Sequence, residues 1–447
     1  MPNLTTDERT IYQRPVEIAQ NLIRMDTTNP PGNEAKCIGY IDALLKKAGF
    51  DTALFAKDKK RPNLIARLKG QGRAAPLLLY GHADVVTTAK QNWSHPPFEA
   101  KVVDGFLWGR GALDMKSGLA MMLSAVLRAK AEAFVPSGDI VLAILCDEEA
   151  GGEYGARYLV EHHADQFAQI RYAIGEFGGY TAHVGPKKFY PIQIAEKRRC
   201  WIRAVIRGPG GHGARPMRGG AMAKLAHFLG QLDKHRLPVH VTPVPRQMIE
   251  IMAAHLPFLN GLIFRQLLNP LFTNRILGLL GVFSQYLDPL LHNTVNATIV
   301  HGGEKINVIP SEISVSLDGR VLPGFSADDL LSELRQLVGE EIVFELLQYD
   351  PSVAAPDMGL FDTLGGILRE ADPGSIPTPL LLPAFTDGRF FSRLGIQTYG
   401  FTPMKLPRGF NFFSATHAAD ERIPLEAIDF GANAIYEVLK RYGDAKS

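Results

Sequence analysis

Apolar positions along the chain follow two different periods. Residues 16–24 and 37–48 repeat at helical spacing, as do 116–130 (KSGLAMMLSAVLRAK), 154–161 and the closing stretch 425–442. Between them stand short apolar runs: 63–68, 76–80 (PLLLY), 139–145 (DIVLAIL) and 171–174. PLLLY and DIVLAIL are continuous rather than alternating, which is the pattern of strands covered on both faces. Helices alternating with such strands predict an α/β layer with a mostly parallel central sheet flanked by helices.

Near Arg198 the pattern changes. Residues 200–207 alternate like a half-exposed strand and run into the loop GPGGHGARP. A helix is expected over 220–232, strands over 294–301 and 312–317, a helix over 327–338 and a strand over 341–348. This reads as a smaller α/β unit with an antiparallel sheet, inserted into the first. The expected organisation is a discontinuous domain, 1–197 with 353–447, and an inserted domain, 198–352. Residues 252–291 are rich in Leu, Phe and Ile. Arg265, Asn269, Pro270, Asn274 and Arg275 interrupt them well before the roughly 20 apolar residues a membrane span needs. The segment is read as extra core of the inserted domain or as an apolar pocket.

The length suits two domains, and a formal charge of +2 with no basic stripe gives no electrostatic support for a nucleic-acid partner. Three scattered cysteines (Cys37, Cys146, Cys200) lack CxxC spacing and point away from a disulfide framework, toward a reducing compartment. The first twenty residues mix charges throughout and contain no apolar leader, so a cytoplasmic protein is expected.

Ligands of open α/β sheets bind beyond the carboxyl ends of the strands, so the residues after each apolar run matter most. PLLLY leads into GHADVV, where His82 and Asp84 are two apart and point the same way in extended chain. His82 suits a metal ligand and Asp84 a carboxylate fixing its tautomer, although a strand-end histidine is often structural. In GRGALDMKSG, Asp114 precedes a helix between glycines, where an aspartate also serves as an ordinary N-cap. DIVLAIL ends in CDEEAGG, whose three adjacent acids need either a compensating cation or full solvation. Glu176 follows the strand RYAI, and His417 lies between an aromatic run and the last helix. Two histidines and three carboxylates suit two divalent ions sharing one carboxylate, with zinc the default and cobalt or manganese also compatible. One acid is then left over as a general base.

These motifs, with GPGGHGARP, NVIP, DGRVLPG and THAADER, resemble the family of aminoacylase-1, glutamate carboxypeptidase G and succinyl-diaminopimelate desuccinylase, in the same order from about residue 80 to 422. TDGRFF resembles the aminoacylase and carboxypeptidase S branch. The resemblance implies a metal-dependent hydrolase of an amide bond in a peptide or N-acyl amino acid. It assigns one metal to His82 and Glu176, the other to Glu149 and His417, and a bridge to Asp114, with a cis peptide after it. Glu148 becomes the base and Asp84 the aspartate behind His82. The inserted domain becomes a lid and dimerisation domain of a homodimer, with His212 reaching a neighbouring site to stabilise the oxyanion. Asn307, Arg320 and Arg389 are candidate substrate-binding residues, although Arg320 and Arg389 suit structural ion pairs equally. Two rivals remain: an N-carbamoyl amino acid hydrolase of the same architecture, and an inactive metal-binding paralogue. The intact ligand set beside Glu148 argues against the second.

Overall fold

The computed structural model describes residues 8–351 and 356–443. The chain divides into two compact units. One comprises Met1–Ile194, Asp357–Leu380 and Thr386–Ser447, the other Ala195–Pro356 with the short return Leu381–Phe385.

The first unit is built on a mixed sheet, ordered Asp51–Phe55, Asn63–Leu68, Ile140–Leu145, Leu77–His82, Tyr172–Gly175, Gln397–Gly400, Lys187–Glu196, Ser375–Leu382. Its four central strands run parallel: Leu77–His82 pairs with Ile140–Leu145 on one side and Tyr172–Gly175 on the other, and Gln397–Gly400 continues the series. The flanks are antiparallel. All six residues of Leu77–His82 and of Ile140–Leu145 are buried, as continuous apolar runs require. The strand expected to stop at Tyr80 carries on through Gly81 and His82, with His82 in register with Leu145. Gly81 makes this possible, because a Cβ there would lie 2.5 Å from the Met115 side chain. Helix Lys116–Ala131 is buried along almost its whole length, between the sheet and the helices Pro15–Ile23 and Leu425–Arg441.

The second unit is an antiparallel four-stranded sheet ordered Thr294–Gly302, Glu312–Val321, Arg198–Arg207, Val343–Tyr349. Glu312–Val321 alternates strictly, sending Val315, Leu317 and Val321 into a core shared with Ile202, Ala204, Phe228, Leu330 and Leu334. Helix Ala327–Val338 starts on a capping box between Ser326 and Asp329, which satisfies two end amides reciprocally.

Residues 252–291 depart from both readings made of them. They fold as short helices, Phe258–Arg265, Pro270–Leu279 and Ser284–Leu291, joined by single turns. Between 256 and 283 the structure buries only Gly261, Leu267, Thr273 and Leu277. Breaks at Pro257, Pro270 and Gly281 keep each helix too short to turn a full stripe inward. No helix among the described residues is long and apolar enough to cross a membrane. Cys37, Cys146 and Cys200 are free and buried.

Lys197 lies within the second unit, its ammonium donating to the His292 carbonyl and Thr294 Oγ1, both at 2.9 Å. Burial, helped by the like charge of Arg320, pushes its pKa down to about 7. Between pH 7 and the ordinary lysine range the unfolded chain therefore binds more protons than the folded one. Stability should rise with pH across that window, by up to about 1.4 kcal/mol per pH unit. Denaturation of wild type and Lys197→Met across pH 6.5–10 is expected to show the rise in the former and a flatter profile in the latter.

Candidate metal centre

Five segments of the first unit deliver the clustered acids and histidines. His82 ends a central strand, Glu176 follows its parallel neighbour, Glu148 and Glu149 form a single turn after the strand on the other side, and Asp114 precedes the long buried helix. His417 comes from a late loop at φ 63°, a left-handed conformation that turns the chain sharply beneath its side chain.

Asp114 stands at the centre. Its Oδ1 lies 3.0 Å from His82 Nε2, and its Oδ2 lies 3.0 Å from His417 Nε2. His82 Nε2 is also 3.3 Å from Glu176 Oε2, and His417 Nε2 is 3.3 Å from Glu149 Oε1. The donors thus form two triplets sharing Asp114: His82, Asp114 and Glu176, all buried, and Asp114, Glu149 and His417, where the His417 side chain is 48 % exposed. The Asp114–Met115 peptide is cis.

The chemistry of these atoms fits divalent metal. His82 Nδ1 lies 3.0 Å from the Asp84 carbonyl oxygen, which can only accept, so Nδ1 carries a proton. In a neutral ring Nε2 is then a lone pair, aimed at carboxylate oxygens of Asp114 and Glu176. Lone pairs converge like this only around a positive charge. The crowded carboxylates favour positive charge here, and where no metal is bound that charge is a proton on the histidines. Burial opposes the His82 imidazolium, yet Glu176, Asp114 and Asp84 raise it well above the usual range. Hydrogen bonds to Asp114 and Glu149 lift His417 to about 10, and burial lifts Glu176 to about 8 against the pull of His82. Asp114 is buried too, but its two histidines hold it well below the ordinary carboxylate range.

Of the three adjacent acids, each is used differently. Asp147, at φ 69°, staples the turn, accepting from Tyr154 N at 3.0 Å and Asn29 Nδ2 at 3.1 Å and pairing with Arg61 at 2.9 Å. Glu149 reaches His417. Glu148 belongs to neither triplet; burial and the charge of Glu176 raise its carboxyl well above normal. Asp84 braces the turn from below, accepting from the Glu148 and Glu149 amides at 3.2 and 3.1 Å and from Asn29 Nδ2 at 2.8 Å.

Further residues hold this arrangement, among them Arg110 and Glu421, which lie inside GRGALDMKSG and THAADER but were given no role there. Glu421 Oε1 accepts from the amides of Leu113 and Asp114 at 2.6 and 3.1 Å, while its Oε2 pairs with Arg110 at 2.5 Å. Arg110 also donates to the His417 carbonyl at 3.1 Å, so one buried ion pair ties the Asp114 and His417 loops together. Asn29 and Arg61, the latter gripping buried Glu34, do the same for the acidic turn. Asp387, in TDGRFF, is fully buried and raised to about 7 by that burial. Arg389 is buried beside it and donates to the backbone carbonyls of Thr386 and Gly151 at 3.2 and 2.8 Å.

Three candidates lie in the second unit. His212 is exposed on a two-residue ladder with Val308 and Ile309, and its Nδ1 accepts from Ala214 N at 3.1 Å. The carbonyl of Asn307 accepts from the Gly213 amide at 2.8 Å, which brings Asn307 next to His212. Arg320 forms a bidentate pair with Asp318, both bonds 2.9 Å, and stacks over Phe385.

An α/β layer whose strand ends gather histidines and carboxylates around shared charge defines a metal-dependent hydrolase of the metallopeptidase and amidohydrolase class. The chain belongs to peptidase family M20/M25/M40, whose sequence profile matches residues 78–441. Among its relatives, a probable carboxypeptidase S-like protein of Dictyostelium discoideum is 26 % identical over 95 % of this chain and 85 % of its own length. Aminoacylase-1 of Sus scrofa is 27 % identical over 73 % of this chain and 71 % of its own. The crystal structure of an M20 family metallo-carboxypeptidase from Sulfolobus solfataricus shares the fold, with TM-score 0.69 over 96 % of this chain and 99 % of that one, at 16 % identity.

Asp114 is the one residue common to both triplets, so Asp114→Ala should bind far less metal than wild type at both. His417→Ala should keep the buried triplet and about half the metal. Elemental analysis after equilibration with limiting zinc checks this; an Asp114→Ala protein with wild-type content would remove Asp114 from the centre.

Proposed function

We propose that the protein hydrolyses an amide bond of a peptide or N-acyl amino acid with two zinc ions and Glu148 as general base. The observation that carries this reading is the division of five candidate ligands into two triplets around Asp114, with a fourth acid, Glu148, beside them and in neither. His82 and Glu176 would hold one ion, Glu149 and His417 the other, and Asp114 both. When bound, the ions supply Lewis acidity that polarises the scissile carbonyl and makes water a usable nucleophile at neutral pH. Glu148 takes the proton of the attacking water and delivers it to the departing nitrogen. Asp84 orients His82 through its own carbonyl and fixes the Glu148 turn through its carboxylate. The likeness to aminoacylase-1 and to a carboxypeptidase S-like protein supports an amino acid on one side of the cleaved bond.

In this reading residues 198–352 act as a lid and dimerisation domain of a homodimer. His212, on the ladder, and Asn307, just before its second strand, act together on substrate bound at the metal centre of the partner subunit, His212 stabilising the oxyanion. Arg320 binds substrate only if it exchanges Asp318 for a substrate carboxylate, and Arg389 only if it gives up a backbone carbonyl. Three buried free thiols fit a reducing compartment, the cytoplasm.

Glu148→Gln should keep wild-type metal content and lose roughly 10²–10⁴-fold in turnover. Release of free amino acid from a panel of dipeptides and N-acyl amino acids measures it, and near-normal turnover with full metal would remove Glu148 as the base. Mixing inactive Glu148→Gln with inactive His212→Ala should restore part of the activity, since a heterodimer then holds one complete site. Proven subunit exchange with no recovery would confine His212 to its own chain.

A further inference from the structure

The second unit carries an apolar surface that the proposed chemistry does not use. On consecutive, mutually packed short elements, Phe258 is 83 % exposed, Leu271 81 %, Leu279 81 %, Val282 75 %, Leu259 68 % and Phe283 67 %. Single exposed apolar residues are ordinary on a protein surface, whereas a run of six bulky side chains bare to two-thirds or more marks an interaction site. The charges in the same stretch have one sign. Residues 251–287 contain no Asp or Glu, and their arginines, Arg265 and Arg275, are exposed and make no ion pair or hydrogen bond among the described residues.

We propose that this face docks on an anionic phospholipid bilayer, with the Phe and Leu side chains entering the boundary between headgroups and acyl chains and Arg265 and Arg275 meeting lipid phosphates. Short amphipathic helices with bulky apolar residues and basic flanks lie in that boundary without spanning it. Guanidinium groups on long stems stay at phosphate level while their apolar neighbours go deeper. A second copy of the chain fits the same face less well. A two-fold contact would bring the patch against itself, setting arginines against arginines with Glu250, just outside the stretch, and Asp288, already paired with Arg236, as the acids next to it in sequence. An anionic bilayer supplies the missing charge and the missing apolar cover together.

The test is co-sedimentation of the full-length, metal-loaded protein with vesicles of phosphatidylcholine alone and of phosphatidylcholine mixed with phosphatidylglycerol. Binding is expected to the anionic vesicles and to weaken with added salt. Arg265→Gln/Arg275→Gln should lose roughly 30-fold in affinity for anionic vesicles, given the usual contribution of each basic residue near such a surface. Phe258→Ser/Leu271→Ser/Leu279→Ser/Phe283→Ser should lose binding to either vesicle while keeping hydrolase activity. Leu271→Asp serves as a lighter variant if the fourfold change does not fold. Sedimentation without lipid completes the experiment. Failure of wild type to bind anionic vesicles, undiminished binding by the serine or aspartate variant, or conversion of a wild-type oligomer to monomer by those substitutions would overturn the proposal, the last by showing that a second copy covers the face.

Discussion

Like charges crowded at the end of a buried sheet set the terms for the first unit. Two carboxylates 4 Å apart repel by about 4 kcal/mol even at an effective dielectric constant of ~20, and Asp114, Glu148, Glu149 and Glu176 share one small region. Folding without compensating cations would leave that repulsion in place. The surrounding structure is correspondingly stiff: Asp84, Asn29 and Arg61 grip the acidic turn from one side, and the Arg110–Glu421 pair grips the Asp114 and His417 loops from the other. The histidine tautomer follows from the same economy, since the Asp84 carbonyl holds one ring nitrogen and leaves the other for the centre.

What could be read in the sequence and what could not divides along a physical line. Patterns that act locally were legible. The apolar runs at 76–80 and 139–145 gave buried parallel strands, and the strand-like run 312–317 gave an antiparallel one that extends to Val321. Strand exits followed by His or acid located the clustered groups, because the fold brings strand ends together. Pairings between distant residues left no local trace. Arg110 and Glu421 sit inside two of the quoted motifs, yet nothing in either motif pairs them, and the Asn29 that braces two aspartates sits in a proline turn with no chemical signature. The direction of the flanking strands was also invisible, since an apolar run reads alike in a parallel or an antiparallel neighbour.

Residues 252–291 show the limit of reading burial from hydrophobicity. Their composition suggested a core or a pocket. Whether a stripe is buried depends on helix length and on what lies opposite. Here prolines and a glycine cut the helices to two or three turns, and the core of the second unit is already filled by Phe228, Leu330 and Leu334 against the sheet. The surplus apolar surface is left outside.

The Arg110–Glu421 pair also orders events in time. A chain made from its N-terminus exposes His82, Asp114, Glu148, Glu149 and Glu176 long before His417 and Glu421 leave the ribosome. Until then the Leu113 and Asp114 amides have no acceptor and the central aspartate has only one of its two histidines. The nascent protein can pair Leu77–His82 with Ile140–Leu145 and Tyr172–Gly175 by then, but it cannot assemble both triplets. Completion of the second triplet, Asp114, Glu149 and His417, therefore waits until residue 417 has been made.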